Sequence, residues 1–216
     1  MVKLKISLKG RVHAILAKHN LGLSFSNLFG KKGRLFLSNI DIVPTSKEAI
    51  DSYLRVIDLL DSELKTFSQD IKNKVKDDEK AKILMSISGV GYHFALLILA
   101  EIGDINRFPS AKKLVSFAGL CPSTYSSGGK TYHGKIIKQG SRWLRWAMIE
   151  VATHAAIYEP CIKRFYEEKK KAKGAKAARV AVARKLLENI YHMLKKNETF
   201  DKSVMRMERA RKPSGQ

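Results

Sequence analysis

The sequence predicts an all-α protein, in which an N-terminal helical hairpin or coiled coil precedes a compact helical domain. Two observations predict this class, and a third marks an exception within it. Apolar residues recur at helical spacing through most of the chain. Hydrophobic residues make up 44% of the sequence, which is enough for a packed core. One long stretch, residues 119–140, is too rich in glycine, serine and threonine for a regular helix, and we expect a hairpin or a functional loop there.

The same patterns divide the chain into three regions. We expect a coiled-coil or helical linker region at residues 1–78 and a C-terminal domain at residues 79–197. A basic tail at residues 198–216 is polar enough to be disordered. The sequence shows no internal repeat.

The N-terminal region begins with a basic amphipathic helix. Between residues 3 and 20, apolar side chains fall near helical spacing, and the pattern breaks at Asn20 and Gly22. The stretch from Gly30 to Gly33 contains two lysines between two glycines, which we interpret as a basic turn.

A long helix over residues 46–76 follows. Thr45 and Glu48 have the spacing of a capping box. The apolar positions then alternate at intervals of three and four, which is the seam of a coiled coil: Ile50, Tyr53, Ile57, Leu60, Leu64, Phe67 and Ile71. This seam fits packing on the first helix of the same chain as well as it fits a coiled coil between two chains.

Residues 81–103 read as two short apolar helices joined by a glycine-containing turn. The turn includes Gly89, Val90 and Gly91. Such a turn is typical of a helix-hairpin-helix element, because glycines let the backbone approach a DNA phosphate and the second helix offers free N–H groups. An ordinary tight turn between helices is the alternative. The basic chain favours the DNA interpretation.

The rest of the C-terminal region is helical apart from the stretch at 119–140. We expect a short helix at 110–118, a helix capped by Ser141 that runs to Tyr158, and another that begins at Pro160. A lysine-rich turn around Gly174 precedes a last helix at 175–195. We interpret a set of aromatic residues in the Ser141 helix as helix packing: Trp143, Trp146, His154 and Tyr158.

Hydroxyl groups, glycines and cations collect at residues 122–135. Phosphoryl transfer to a serine needs an exposed hydroxyl, an open backbone and positive charge. Ser126 and Ser127, followed by two glycines, supply the first two. The cations for the third are Lys130, Lys135, Lys138, Arg142 and Arg145, and His133 is a further acid–base candidate. An ordinary linker-like turn would contain the same serines and glycines.

The charge identifies a class of partner. Forty-one Lys and Arg against twenty Asp and Glu give a net charge of +21, which favours binding to nucleic acid. The first forty residues hold eight bases and no acid, and residues 130–216 hold twenty-two bases against eight acids. We therefore expect two basic surfaces with a mixed-charge spacer between them.

Other classes of site and location find little support. No apolar run is long enough to span a membrane, no signal peptide is recognisable, and two cysteines exclude a disulfide framework, so we expect a cytoplasmic protein. Glu101 and Asp104 lie near a helix end, where capping or pairing with Arg107 is expected rather than metal binding. The residues do not provide the carboxylates of a two-metal nuclease, and we expect no metal site.

Several ordered blocks together resemble the transposases of the insertion-sequence 110/116/902 family, which are serine recombinases guided by a bridging RNA. The resemblance extends from about residue 3 to residue 197. It is carried by residues 84–91, 100–108, 118–122, 126–130, 138–145 and 181–187.

The resemblance implies a function and a set of roles. In the family, a serine of the C-terminal transposase domain attacks DNA and forms a transient phosphoserine link. Ser127 matches that serine, and Ser126 is the reserve. A coiled coil joins protomers, which favours a homo-oligomer through the 46–76 helix. DNA and a guide RNA are the implied partners.

The resemblance also implies an absence. Family members begin with an RNase-H-like domain whose four acidic residues bind magnesium, and Met1 corresponds roughly to the start of the coiled-coil region that follows. We therefore expect this chain to be the C-terminal portion without that domain and without a cofactor of its own. The alternative to a recombinase is a non-catalytic nucleic-acid-binding relic that pairs with a full-length transposase.

Overall fold

The computed structural model describes residues 1–22, 26–127 and 130–201, and for residues 124–127, 130–133 and 135 it describes the backbone alone. The described residues form eight α-helices, a short 3-10 helix and one two-stranded β-hairpin, so the predicted all-α class is confirmed. They divide into two compact units, Met1–Asp70 and a second that begins at Ile71. The domain limits predicted from the sequence stay predictions.

The first unit is built from α1 (Val2–Lys18), α2 (Lys31–Ser38) and most of α3 (Pro44–Val75). The predicted amphipathic helix is confirmed, because α1 buries Leu8, Val12 and Leu16 along one face. α1 and α3 are antiparallel. Three side-chain contacts fix this direction: Lys5 with Asp61, Arg11 with Tyr53, and His19 with Ser46.

The basic turn predicted at Gly30–Gly33 is wrong, because α2 begins at Lys31 and Gly33 lies inside it. The glycine serves packing and not a turn. A Cβ atom on Gly33 would lie 2.1 Å from the carbonyl oxygen of Leu28. The sequence pattern of two glycines around two lysines does not distinguish these two reasons for a glycine.

The capping box predicted at Thr45 and Glu48 is also wrong, because the helix begins before Thr45. α3 begins at Pro44, and the carbonyl of Val43 accepts hydrogen bonds from the N–H groups of Ser46 and Lys47, at 2.9 and 3.1 Å. Thr45 therefore lies within the first turn. Proline is favoured at the first position of a helix because its φ angle is already helical and its missing N–H is not needed there.

The apolar seam of α3 divides into two parts. Ile50 and Ile57 are fully buried, and Ile50 belongs to the core that α1 and α2 form with α3. Phe67 is 51% exposed. Intrachain packing on α1 thus accounts for the first half of the seam. The last turn of α3 belongs to the second unit, where Val75 is buried in the second core.

The second unit contains α4 (Glu79–Met85), α5 (Tyr92–Ile102), the 3-10 helix Ile105–Arg107, α6 (Ala111–Phe117), strands β1 (Pro122–Ser127) and β2 (Lys130–Ile136), α7 (Arg142–Tyr158) and α8 (Pro160–Lys196). Its core lies mainly along α7 and the second half of α8. α8 buries every predicted apolar position of that half: Ala178, Val182, Leu186, Ile190 and Leu194.

The lysine-rich turn predicted around Gly174 is reduced to a single kinked residue. α8 continues on both sides of Gly174, which alone has non-helical angles, with φ of 80° and ψ of 164°. Lysine has a good helix propensity, so a lysine-rich stretch stays helical up to the glycine. Disorder was expected for the tail at residues 198–216. Residues 202–216 of this tail lie outside the described part of the chain.

Candidate functional site

The predicted serine segment forms a β-hairpin, one of the two alternatives that the sequence left open. β1 and β2 are antiparallel, with a register irregularity between Pro122 and Thr124. Ser126 pairs with Thr131 and Ser127 pairs with Lys130. Gly128 and Gly129, which connect the strands, lie outside the described residues. The backbone therefore places both serines at the end of the hairpin that is farther from α6 and α7.

Three hydrogen bonds fix the base of this hairpin, one between its two ends and two at the helices. The Ile137 N–H donates to the Cys121 carbonyl at 2.8 Å, and the Ser141 N–H donates to the Phe117 carbonyl at 2.8 Å. The Arg145 guanidinium donates to the carbonyl of Ala118 at 3.1 Å. The two ends of the serine segment are thus fastened to each other, to the end of α6 and to the start of α7.

Two glycines permit the close approach of backbone at this base. Gly119 has φ of +66°, and a Cβ atom there would lie 2.5 Å from the carbonyl oxygen of Gln139. Gly140 has φ of +105°, and its Cβ would lie 2.1 Å from the carbonyl oxygen of Phe117. Both the left-handed angle and the lack of space exclude a larger residue. At the base of the hairpin, the backbone after α6 and the backbone before α7 thus pack closely, and both positions require glycine.

Ser141 joins the base of the hairpin to α5 as well as to α7. Its hydroxyl accepts a hydrogen bond from the Leu144 N–H at 3.0 Å, which confirms the predicted cap of α7. The same hydroxyl donates to the Glu101 carboxylate at 2.6 Å. A hydrogen bond to a charged acceptor is stronger than one between neutral groups. Glu101 thereby positions Ser141, the N-cap residue of α7.

The predicted phosphate-binding cations have different surroundings. Lys138 is exposed just before α7. Arg142 is exposed, and its guanidinium lies 5.1 Å from the ring centre of Trp143. Arg145 is half-buried and is bonded to the Ala118 carbonyl, so its guanidinium already supports the base of the hairpin. Lys130 faces Ser127 in the register of the strands.

The predicted pair of short helices is present as α4 and α5, and the two glycines between them differ. Gly89 has φ of +95°, and a Cβ there would lie 2.8 Å from the Cβ of His154 on α7. A Cβ on Gly91 would have no atom within 4 Å. Val90 is 6% exposed and belongs to the core. Packing thus accounts for Gly89 and Val90, whereas Gly91 borders open space at the N-terminus of α5.

The glycine turn and the serine hairpin lie at opposite ends of α5. α5 and α7 are antiparallel, since Phe94 contacts Trp146 near one end and Glu101 contacts Ser141 at the other. Eleven helical residues span about 16 Å at 1.5 Å per residue. The structure therefore does not bring Gly89–Gly91 together with the serines, although both belong to the second unit.

Sequence reasoning missed an exposed group of aromatic residues on α7. The helix-packing interpretation describes the contact of Trp146 with Phe94, but Trp143 is 52% exposed, Trp146 is 41% exposed and Tyr158 is 68% exposed. The spacing of apolar residues along α7 could have revealed this exposure. The buried residues of α7 include Leu144, Ala147, Met148 and Val151, and both tryptophans fall outside that stripe.

The two acidic residues considered for a metal are engaged in other bonds. Glu101 accepts from Ser141, and its backbone carbonyl accepts from Arg107 at 3.0 Å. Asp104 accepts from the Asn106 N–H at 2.9 Å and so caps the 3-10 helix. In the part of the chain that the structure describes, no group of three or more His, Cys, Asp or Glu residues could hold a metal ion. The resemblance implies magnesium at the RNase-H-like domain and at none of these residues.

None of the helices within the described ranges is long and apolar enough to cross a membrane. The expected cytoplasmic location stays a prediction.

Comparison with known proteins gives consistent matches. Residues 81–167 match the family model described as Transposase IS116/IS110/IS902 family. The chain is 26% identical over 210 residues to the transposase for insertion sequence element IS1111A of Coxiella burnetii, covering 93% of this chain and 57% of that protein. It is 32% identical over 124 residues to the insertion element IS110 uncharacterized 43.6 kDa protein of Streptomyces coelicolor, covering 57% of this chain and 30% of that protein.

A relative with a different name is also similar to this chain. The chain is 32% identical over 130 residues to the pilin gene-inverting protein of Moraxella bovis, covering 59% of this chain and 40% of that protein. The chain thus spans about half the length of the relatives it matches, or less. The chain is thus similar to transposases of the IS110/IS116/IS902 family, and residues 81–167 are the part that matches the family model.

Proposed function

We propose that this chain provides the serine-bearing part of a DNA recombinase that acts in transposition, with Ser127 as the nucleophile. The observation that carries the proposal is the hairpin itself. Ser127 ends β1 opposite Lys130, beside a two-glycine connection, while the base of the hairpin is fixed to α6 and α7. A fixed base and a small-residue tip suit a hydroxyl that must reach a bulky phosphodiester.

The proposed reaction is a transesterification. The Ser127 hydroxyl oxygen attacks a DNA phosphorus atom and forms a phosphoserine ester, while the bond from phosphorus to one deoxyribose oxygen breaks. The proton of the serine is lost, and the departing deoxyribose oxygen gains one. Reversal of the same step on a second strand would join the DNA and restore the serine. In this proposal Lys130, Lys138 and Arg142 offset the phosphate charge. Arg145 acts through the base of the hairpin.

A second part of the proposal concerns duplex DNA at the glycine turn. Gly91 is open to solvent at the N-terminus of α5, where the free N–H groups and the helix dipole favour an anion. We assign the DNA backbone contact to Gly91, with Gly89 and Val90 holding the turn in shape. This part of the chain would bind duplex DNA without reading its bases.

The proposed partners include a second copy of this chain and a guide RNA. The half of the α3 seam that includes the exposed Phe67 is suited to a homo-oligomeric coiled coil. The charge of +21 favours binding to RNA as well as to DNA.

The test is a covalent-adduct assay on this protein. It is incubated with magnesium, labelled donor and target DNA and flanking RNA, and is run on a denaturing gel. A protein–DNA band that disappears in Ser127→Ala supports the proposal. Ser123→Ala lies on the same strand and is the matched control, which keeps the band.

Two results would contradict the assignment of Ser127. A band that survives Ser127→Ala but disappears in Ser126→Ala would transfer the role to the neighbouring serine. A band that disappears in Tyr125→Phe or Tyr132→Phe, and that resists the alkali which eliminates a phosphoserine, would indicate a tyrosine nucleophile. DNA binding without any band would favour the non-catalytic relic.

A further inference from the structure

Aromatic side chains of α5 and α7 form a continuous cluster on the surface of the second unit, which we name the aromatic platform: His93, Phe94, Trp143 and Trp146. The ring centres of Trp143 and Trp146 lie 6.2 Å apart, at an interplanar angle of 82°. The Trp146 ring lies 5.6 Å from Phe94, and Phe94 lies 5.8 Å from His93. The platform is therefore one connected set of rings on two helices.

The outer part of the platform is open to solvent although it is the kind of surface that folding normally buries. Trp143 and Trp146 are 52% and 41% exposed, and they are the only two tryptophans in the sequence. Phe94 packs against the core and supports Trp146 from below. A single exposed apolar side chain needs no explanation, but adjacent exposed tryptophans on a supported base indicate a binding surface.

The charge around the platform favours a polyanion at one end. The Arg142 guanidinium lies 5.1 Å from the ring centre of Trp143, and Lys138 is exposed a few residues earlier in the chain. The first acidic residue of α7 is Glu150, one turn beyond Trp146. A phosphate chain would thus lie on the side of Arg142, and the rings would be left for apolar or π-stacked groups.

We propose that the aromatic platform stacks unpaired bases of a DNA strand. This inference rests on the proposed function, because the platform adjoins the serine hairpin: Ser141 and Arg145, which fasten the base of the hairpin, flank Trp143 in α7. Every nucleobase has a π-face, so stacking on tryptophan tolerates any sequence. Bases that are unpaired near the hairpin, as strand exchange requires, would be held by Trp143 and Trp146 while Arg142 contacts the phosphates.

The test uses tryptophan fluorescence of the full chain, because both tryptophans belong to the platform. A short oligothymidylate is titrated into the protein, and an oligomer of the same length with an abasic backbone is titrated in parallel. The oligothymidylate should quench the emission, whereas the abasic oligomer should bind more weakly and leave the emission unchanged.

Variants then assign the effect to individual rings. Trp143→Ala and Trp146→Ala should each raise the Kd for oligothymidylate about tenfold, which corresponds to ~1.4 kcal/mol. Anisotropy of a labelled oligomer measures this without relying on the tryptophans. Trp143→Phe should restore most of the affinity, because phenylalanine also stacks. Tyr158→Ala, at the far end of α7 and 68% exposed, is the matched control and should keep the wild-type Kd. Circular dichroism checks that each variant is folded.

Four outcomes would overturn the proposal. Equal quenching by the abasic oligomer would reduce the site to an electrostatic one, and an unchanged Kd in both tryptophan variants would remove the rings from binding. Tighter binding of oligouridylate than of oligothymidylate would assign the platform to RNA. Loss of self-association in Trp143→Ala, with unchanged DNA binding, would identify an interface between two copies of this chain. No covalent step enters these readouts, so they are independent of whether Ser127 transfers DNA.

Discussion

At the scale of residues, the two glycines of the turn between α4 and α5 are there for different reasons. Gly89 and Gly91 look equivalent in the sequence, but only Gly89 has a positive φ and a neighbour, the Cβ of His154, that excludes a side chain. Gly91 is free of both constraints. A glycine with no structural reason in the fold is the better candidate for contact with a ligand.

A pair of substitutions tests this distinction. Gly89→Ala should lower the free energy of unfolding by about 2–4 kcal/mol, because it combines a left-handed angle with overpacking. Gly91→Ala should cost at most about 1 kcal/mol, since alanine is a poorer N-cap than glycine, yet weaken duplex DNA binding several-fold. Urea unfolding and fluorescence anisotropy measure the two quantities. Full DNA affinity in a folded Gly91→Ala variant would remove the glycine turn from the DNA-binding surface.

At the scale of elements, the start of α7 depends on one serine that makes two bonds. Ser141→Ala removes the cap to the Leu144 N–H and the bond to Glu101. We expect a loss of about 1–2 kcal/mol in the free energy of unfolding. Ser110→Ala is the matched control, since Ser110 occupies the N-cap position of α6 without a side-chain cap bond, and it should change stability by less than about 0.5 kcal/mol.

Denaturant unfolding of the two serine variants decides this prediction. Equal stabilities for Ser141→Ala and Ser110→Ala would show that the bonds of Ser141 are no stronger than the bonds to water that replace them. A rescue by Ser141→Thr, which keeps the hydroxyl, would support the assigned role.

The elements also show what the sequence could and could not predict. Helices with a strong periodic pattern, such as α1 and the second half of α8, lie within a few residues of their predicted limits because burial of one face decides both pattern and fold. The errors concern glycine and capping signals at Gly33 and Thr45. Those signals are short sequence motifs. The role of Gly33 is decided by its close approach to Leu28, and the start of α3 is decided by Pro44. A motif does not contain this information about space and backbone geometry.

The candidate site was predictable only where residue type alone was informative. The serine segment could be recognised as non-helical, and Ser141 as a cap, from residue type alone. The second role of Arg145, bonding to the Ala118 carbonyl, depends on how the ends of the hairpin meet and could not be read from its position in the chain. The exposure of Trp143 and Trp146 could have been inferred by comparing them with the buried stripe of α7.

At the scale of the whole molecule, the proposed homo-oligomer depends on the exposed half of α3. Phe67→Ala should shift the mass of the protein in solution towards that of a single chain, because it removes a large apolar group from the seam. Leu59→Ala, 60% exposed on the same helix but outside the seam, is the control and should keep the wild-type mass. Light scattering after size-exclusion chromatography measures both. A wild-type protein that is monomeric at every concentration would contradict the coiled-coil interpretation.

The net charge leads to a second prediction at this scale. The affinity for duplex DNA should fall steeply with salt, by roughly a thousandfold or more between about 50 and 200 mM if six or more phosphates are contacted. Electrophoretic mobility shifts in a salt series measure the slope. An affinity independent of salt would mean that the charge of +21 lies away from the DNA.

The fastened base of the serine hairpin has a consequence for how this protein can change. Since residues 121 and 137 are bonded to each other beside α6 and α7, the chain between them is already a closed loop. Its length then contributes to stability only through the slowly growing entropy of loop closure. Mutations that lengthen, shorten or replace the strands should therefore change the free energy of unfolding of the helices only slightly. The length of the hairpin can then vary during evolution while the helices that support it stay the same.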